Sequence, residues 1–391
     1  MRVGKVPALL GGGVGVLTAV AATAVARQRR SAARERSRIE VGSAALFTAP
    51  AVSDRGRVLT DDGIELHYEV VGGEVVGGEV VGAGHAVGAG DAGLSVVFVH
   101  GYTLNLGSFH FQRLALAKAF GDSVRQVFYD QRSHGRSARA PSESCTIEQL
   151  GHDLYSVIDQ LAPTGPIVLV GHSMGGMTVM ALADRHPELF RAPAGTGTAR
   201  VASVVLVNTS SGELKNLTLG LPSALARLHA PVLPIVLRRA AKNAALVEQA
   251  RAMGRDLAWV MTKRLSFASK DVDPAVVAYC TTMISATPVD VVADFYPTLM
   301  AHDGRLGLRN LKGCPVLVIG ADSDAMTPLE HSKAIVRALP EARLIVAPNS
   351  GHLLMLEHPE LVNEPLIGVV EAALAGRPGS EVAGPDQPVS A

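Results

Sequence analysis

The sequence predicts an α/β chain, with a mostly parallel central sheet covered by helices on both faces and a helical insertion between two of its strands. Three observations carry this expectation. From residue 94 onward, short runs of Val, Ile and Leu alternate with stretches of helical spacing, the pattern of strands buried on both faces. Residues 210–304 break the alternation with helical periodicity and almost no strand signal. A serine stands between glycines directly after one apolar run, in "VLVGHSMGGM". With 391 residues, 48% of them hydrophobic, the chain can bury one large core and carry an insertion.

The first element is an apolar segment. "VPALLGGGVGVLTAVAATAVA", residues 6–26, is uncharged over the roughly 20 residues that a membrane-spanning helix needs. Arg27, Arg29, Arg30, Arg34, Arg36 and Arg38 follow it against one Glu35, whereas only Arg2 and Lys5 precede it. Positive charge resists translocation and sits well against anionic headgroups. Residues 1–30 therefore read as a membrane anchor with the rest of the chain on the cytoplasmic side. A secretory signal cleaved after Ala24-Val25-Ala26, leaving the protein secreted or in the cell envelope, is the competing reading, and a mobile apolar tail is a third. Residues 31–56 are expected to form an arginine-rich linker, and the Pro/Gly-rich residues 377–391 a disordered tail.

"VLTDDGIELHYEVVG" predicts a hairpin, with Asp62-Gly63 in the turn and Ile64, Leu66 and Tyr68 alternating with polar residues. The near repeat of Gly-Gly-Glu-Val-Val over residues 69–93 is too short to build a solenoid and reads as an expanded loop or an extended edge hairpin. "LSVVFVHG", "VRQVFY", "PIVLVGHS" and "VASVVLVNTS" predict strands; "FHFQRLALAKAF", "TIEQLGHDLYSVIDQLA" (with Thr146 as its cap) and "GGMTVMALADRHPELF" predict helices. After the insertion, "CPVLVIGADSD" and "ARLIVAPNSGH" are strands, and "EHSKAIVRALP" and "PELVNEPLIGVVEAALAG" are helices. The core is expected over 57–209 and 305–376, with 210–304 as its helical cap.

The serine has the surroundings of a nucleophile. Gly171-His172-Ser173-Met174-Gly175 fits G-x-S-x-G between a strand and a helix. Side chains at 171 and 175 would collide in so sharp a turn. The turn exposes the Ser173 hydroxyl above the sheet edge and puts the Met174 N–H at a helix N-terminus, where an oxyanion is stabilised. The other reading is a packing turn whose serine only caps the helix. A serine hydroxyl is a poor nucleophile unless a base takes its proton and an acid orients that base. His352, in "NSGHLLMLEHP" after a late strand, is the candidate base. His134 and His358 are its rivals, and His172 cannot fold back onto its neighbour and reads as structural. "VLVIGADSDAMTP" offers Asp322 and Asp324 as the acid. In "FVHGYTLN", Gly101 lets the strand end turn so that the Tyr102 N–H becomes a second oxyanion donor. Asp130, Arg132 and His134 in "YDQRSHGRS" are expected to brace a loop.

Composition removes other classes. Lys+Arg and Asp+Glu number 36 each, which leaves no broad basic face for nucleic acid. Cys145, Cys280 and Cys314 are too few and too scattered for a disulfide framework or a zinc site and read as small buried residues. No pattern calls for a metal or a cofactor, and none sets an oligomeric state.

Taken in order over residues 58–375, "HGYT", "YDQRSHGRS", "GHSMGG", "GADSDAMTP" and "NSGHLLMLEHP" resemble the α/β-hydrolase superfamily of the AB hydrolase-1 type. Within it the chain most resembles actinobacterial membrane-anchored α/β-hydrolases of unassigned substrate, which also begin with a Gly/Ala-rich apolar segment followed by arginines. The resemblance implies the α/β-hydrolase fold and a serine hydrolase of carboxylic esters, with Ser173, Asp324 and His352 as its triad and no cofactor. Pro328, four residues after Asp324, matches the family's Thr-Pro and selects that acid; the interval from Gly320 is one residue longer than the family's, which keeps Asp322 as the alternative. Ser133 replaces the first glycine of the family's D-x-R-G-H-G-x-S loop. Epoxide hydrolases and haloalkane dehalogenases of this fold carry Asp where Ser173 stands, so those activities are disfavoured. The Leu-, Val- and Ala-rich cap suits an apolar, lipid-derived ester. Acyl transfer, thioester or lactone cleavage, carbon–carbon bond hydrolysis and cofactor-free haloperoxidase-like chemistry remain open on the same fold. A non-catalytic membrane-associated binding protein is the alternative from another class.

Overall fold

The computed structural model describes residues 46–48, 51–73, 93–192, 199–214 and 258–376. The apolar segment 1–30, most of the linker, repeat residues 74–92, residues 215–257 of the cap and the tail from 377 lie outside the described residues.

Eight strands form one sheet: β1 (Asp54–Leu59), β2 (Glu65–Val71), β3 (Ser95–Val99), β4 (Arg125–Tyr129), β5 (Ile167–His172), β6 (Val201–Val207), β7 (Val316–Ala321) and β8 (Arg343–Ala347). Their order is β1-β2-β4-β3-β5-β6-β7-β8. β1 and β2 pair antiparallel around the Asp62-Gly63 turn, β2 pairs antiparallel with β4, and the remaining pairs are parallel. This is the α/β-hydrolase fold, as expected. β1 begins at Asp54, inside the stretch read as linker. The reason is its edge position: "DRGRVL" alternates half-buried and exposed residues and carries no apolar run.

The central strands are apolar throughout because both faces are covered. Val96, Phe98, Val168 and Val170 point into one layer; Val97, Val99, Ile167 and Leu169 point into the other. The first layer packs against α1 (His110–Phe120) and the late helix α9 (Glu360–Leu374), through Leu116, Val362, Leu366 and Val370. The second packs against α2 (Ile147–Leu161) and α3 (Met174–Arg185), with Leu154, Val157, Val179 and Leu182 fully buried. Thr146 caps α2, accepting the Gln149 N–H at 3.1 Å.

Between β6 and β7, the described residues are helical over 258–266, α4 (Pro274–Ala286), α5 (Val289–Ala301) and α6 (Arg305–Asn310). The chain leaves and re-enters the sheet at one neck: Gly212 pairs with Asp303, and the Gly304 N–H donates to the Ser211 carbonyl at 2.9 Å. α4 is held to the core by Tyr279, which stacks on Phe47 at 3.9 Å and donates to the Gly107 carbonyl at 3.0 Å. Among the described residues no single helix is long and apolar enough to cross a membrane; α4 and α5 reach that length only together and are bent by 89° where they meet. The remaining helices are α7 (Leu329–Ala338) and α8 (Leu354–Glu357). Cys145, Cys280 and Cys314 are buried and free.

Arg132, in the loop after β4, is wholly buried and donates two hydrogen bonds to Asp153 on α2 (2.6 and 2.7 Å) and two to Asp62 in the hairpin turn (2.8 and 2.9 Å). Asp153 is equally buried. Removing the cation strands that carboxylate without a counter-charge, so Arg132→Met is expected to destabilise the protein by about 3–5 kcal/mol, read from chemical denaturation.

Candidate active site

The site assembles at the C-terminal ends of the parallel strands. β5 hands over to α3 within a single residue. Ser173 takes φ 53° and ψ −119°, a left-handed conformation that L-residues resist. The turn is too tight for side chains beside it: a Cβ on Gly175 would lie 1.9 Å from the Val99 carbonyl oxygen, and one on Gly171 would lie 2.7 Å from the Gly176 backbone. The turn is held by the Ser173 N–H donating to Val207 (3.0 Å) and the Thr209 hydroxyl donating to the Ser173 carbonyl (2.6 Å).

Three sequence-predicted side chains meet here. His352 Nε2 lies 3.0 Å from Ser173 Oγ, and its Nδ1 lies 2.8 Å from Asp324 Oδ2. The carboxylate accepts a hydrogen bond from Nδ1–H, so Nε2 presents its lone pair to the serine hydroxyl. Asp324 also accepts the N–H groups of Met326 (2.7 Å) and Thr327 (2.9 Å) and the Thr327 hydroxyl (2.8 Å). Burial by itself would raise its carboxyl, but the His352 imidazole and the Thr327 donors outweigh burial and hold it below the ordinary value. Asp322 does not join them: it is exposed and, among the described residues, its carboxylate accepts from the neighbouring Ser323 hydroxyl, at 2.9 Å. Neither rival histidine is close. His134 Nδ1 bonds the Arg132 carbonyl at 3.0 Å, and His358 pairs with Glu360 at 3.4 Å. His172 is buried with Nε2 2.9 Å from the His352 carbonyl oxygen.

Of the two expected backbone donors, Met174 follows Ser173 directly and Tyr102 lines the same cavity as Ser173. Met174 opens α3, where a first-turn N–H has no partner inside the helix. At the end of β3, His100 Nε2 accepts the Gln131 N–H (2.9 Å), so its Nδ1 carries the proton and donates to the Gly101 carbonyl (2.8 Å). In a planar trans peptide, that carbonyl and the Tyr102 N–H point opposite ways. Asp130 braces the loop after β4 as expected, accepting the N–H groups of Leu106 and Arg136 at 2.8 Å each. Ser133 takes the positive φ of the glycine it replaces (64°), and its hydroxyl accepts the Ala140 N–H at 3.0 Å.

Above Ser173 lies a cavity of about 320 Å³ between the core and the cap. Its described lining includes Leu104, Met177, Met261, Leu265, Ile284 and Leu299, and no Asp, Glu, Lys or Arg. Asp61, Asp62 and Asp153 converge elsewhere, but the two buried oxygens of Asp153 and those of Asp62 already close on Arg132.

Sequence reasoning missed Asn208, Thr327 and Glu357, which touch the loops carrying Asp324 and His352. Glu357 accepts the N–H groups of Gly351 (2.7 Å), Ala268 (2.9 Å) and Ser269 (2.7 Å), joining the histidine loop to the cap. The only signal for them was a polar residue at a strand end or helix turn, which ordinary capping also produces.

The class follows from this fold and site. Residues 95–359 match the family described as alpha/beta hydrolase fold, and the chain belongs to that family. The chain is similar to the sn-1-specific diacylglycerol lipase ABHD11 of Mus musculus, 26% identical over 280 residues that cover 69% of this chain and 79% of that protein. It is likewise similar to a monoacylglycerol lipase of Mycolicibacterium smegmatis, 26% identical over 292 residues covering 69% and 82%. Among solved structures, a thermophilic esterase from Thermogutta terrifontis superposes with a TM-score of 0.59 at 27% identity, covering 82% of this chain and 99% of that one.

Burial holds three of the imidazoles neutral: His100 is pushed down to about 4, and His134 and His172 to about 3. Their ordinary value is 6.5, so the unfolded chain binds more protons as soon as the pH falls below it. Stability is expected to be complete above that value and to fall toward pH 4, by up to about 1.4 kcal/mol per pH unit for each histidine. Urea midpoints measured from pH 7.5 to 5 check this, and His134→Gln is expected to flatten the slope.

Proposed function

We propose that the protein is a serine hydrolase that cleaves uncharged carboxylic esters with an apolar acyl part through an acyl-enzyme. The observation that carries this reading is the relay Ser173 Oγ–His352 Nε2–Asp324 at 3.0 and 2.8 Å, opening into a cavity whose described lining holds no charged side chain. The similar lipases and esterase support an ester as substrate.

Ser173 Oγ attacks the ester carbonyl carbon while His352 Nε2 takes the hydroxyl proton. Asp324 keeps the imidazole in its Nδ1–H form and stabilises the cation that develops. The carbonyl oxygen becomes an oxyanion, met by the backbone N–H groups of Met174 and Tyr102. Collapse breaks the bond to the alcohol, which leaves with the proton from His352. Water, deprotonated by His352, then attacks the acyl-enzyme; the acid departs and Ser173 regains its proton. The apolar cap residues hold the acyl chain by burial alone, with no ion pair to select a charged substrate. The arginine-rich stretch after residues 6–26 supports membrane attachment with this domain on the cytoplasmic side, close to lipid esters.

A fluorophosphonate should label the wild-type serine and leave Ser173→Ala unlabelled. Folded wild type that takes no label sinks the reading. Asp324→Asn is expected to lower kcat by on the order of 10³–10⁴, because the amide no longer selects the Nδ1–H tautomer, whereas Asp322→Asn is expected to stay close to wild type; p-nitrophenyl ester turnover measures both. Partition of the acyl-enzyme between water and added alcohol separates hydrolysis from acyl transfer.

A further inference from the structure

The loop that presents His352 has little regular structure, so its backbone must be held by something else. Asn208, buried at the end of β6, has the contacts to do so. Its Nδ2 donates to two successive carbonyl oxygens, Gly351 at 2.9 Å and His352 at 3.0 Å. Its Oδ1 accepts the Ala321 N–H at 2.8 Å, at the end of β7 where the acid loop begins. These partners settle the amide orientation, since a flipped amide would set an oxygen against two carbonyls and an NH₂ against an N–H. The main chain of Asn208 takes part as well. Its N–H donates to Ile319 at 2.9 Å, and its carbonyl lies 3.0 Å from the Thr327 hydroxyl, which also reaches Asp324. Asn208 holds φ at +43°, a region asparagine tolerates better than most residues.

We infer that Asn208 is a positioning residue for the reaction, fixing the distance between the acid loop and the base loop by gripping the backbone on either side of the His352 Cα. The inference rests on the serine-hydrolase reading above. Neutral His172 shares the work, since its Nε2–H donates to the same His352 carbonyl. Asn208 is absent from the described lining of the cavity, so it acts through the imidazole and leaves substrate binding alone. The side chain that it steadies has to meet Ser173 and Asp324 at once, and a shift of about 1 Å in such a relay costs on the order of 10² in rate.

The test uses Asn208→Asp in the full chain. This change keeps the size and the acceptor for Ala321 but removes both donors and turns an oxygen toward two carbonyls. The rate of fluorophosphonate labelling and kcat for p-nitrophenyl butyrate are expected to fall on the order of 10²-fold, with KM within about twofold of wild type. The far-downfield proton signal of His352 Nδ1–H should shift or vanish. Asn208→Gly, which accepts the positive φ freely, is the second variant with the same expected losses should the first fail to fold. Leu154→Ala, in the opposite core layer, should lower Tm while kcat and the proton signal persist, which separates positioning from general loss of stability. A folded Asn208 variant with wild-type turnover and a wild-type proton signal overturns the inference. Wild type without labelling overturns the ester-hydrolase reading instead, and the proton signal in the Asn208 variants then decides the role of Asn208 by itself.

Discussion

The site depends on how closely the strand-to-helix turn at Ser173 packs against β3. The position of a Cβ on Gly175 lies only 1.9 Å from the Val99 carbonyl, so α3 starts hard against β3 with no room for a side chain there, and Ser173 just before it takes a left-handed conformation. A residue held there costs on the order of 1–3 kcal/mol. The surrounding sheet holds it through hydrogen bonds on both sides of the Ser173 backbone: its N–H donates to the Val207 carbonyl and its carbonyl accepts from the Thr209 hydroxyl. The gain is chemical: the hydroxyl stands clear of the sheet at a helix N-terminus, where negative charge is favoured.

The parallel sheet then sets which loops can reach that hydroxyl. β5, β6 and β7 lie side by side with β8 beyond, all pointing the same way, so the loops after β7 and β8 rise over the same edge as Ser173. Each is held by bonds to its backbone: Asn208 to Ala321 and His352, Glu357 to Gly351. The polar bonds that hold these loops are thus made by residues other than Ser173, His352 and Asp324, as is common where a side chain must keep one orientation.

Burial acts oppositely on the groups around the site. It keeps His100, His134 and His172 neutral, so each has one N–H to donate: His100 Nδ1 to Gly101, His134 Nδ1 to Arg132 and His172 Nε2 to His352. It would also neutralise Asp324, but there the His352 imidazole and the two Thr327 donors outweigh it and the carboxylate keeps its charge.

Much of this was legible in the chain. Strands buried on both faces can carry only apolar side chains, so their Val/Ile/Leu runs announce themselves, and the glycines around Ser173 record a turn with no room for a Cβ. Local sequence therefore determined the buried strands and the strand-to-helix turn at Ser173. Other features were decided only in three dimensions. The edge strand from Asp54 reads as linker because one side of it meets water. Asp322 and Asp324 are two residues apart in similar surroundings, and only the path of the loop turns one inward to His352 and the other to solvent. Asn208 looks like any polar strand end until the fold brings Gly351 and His352, 143 and 144 residues away, against its amide. Backbone sterics and burial act over a few residues and leave their mark in the sequence, whereas a hydrogen bond between distant loops exists only once the sheet has set them side by side.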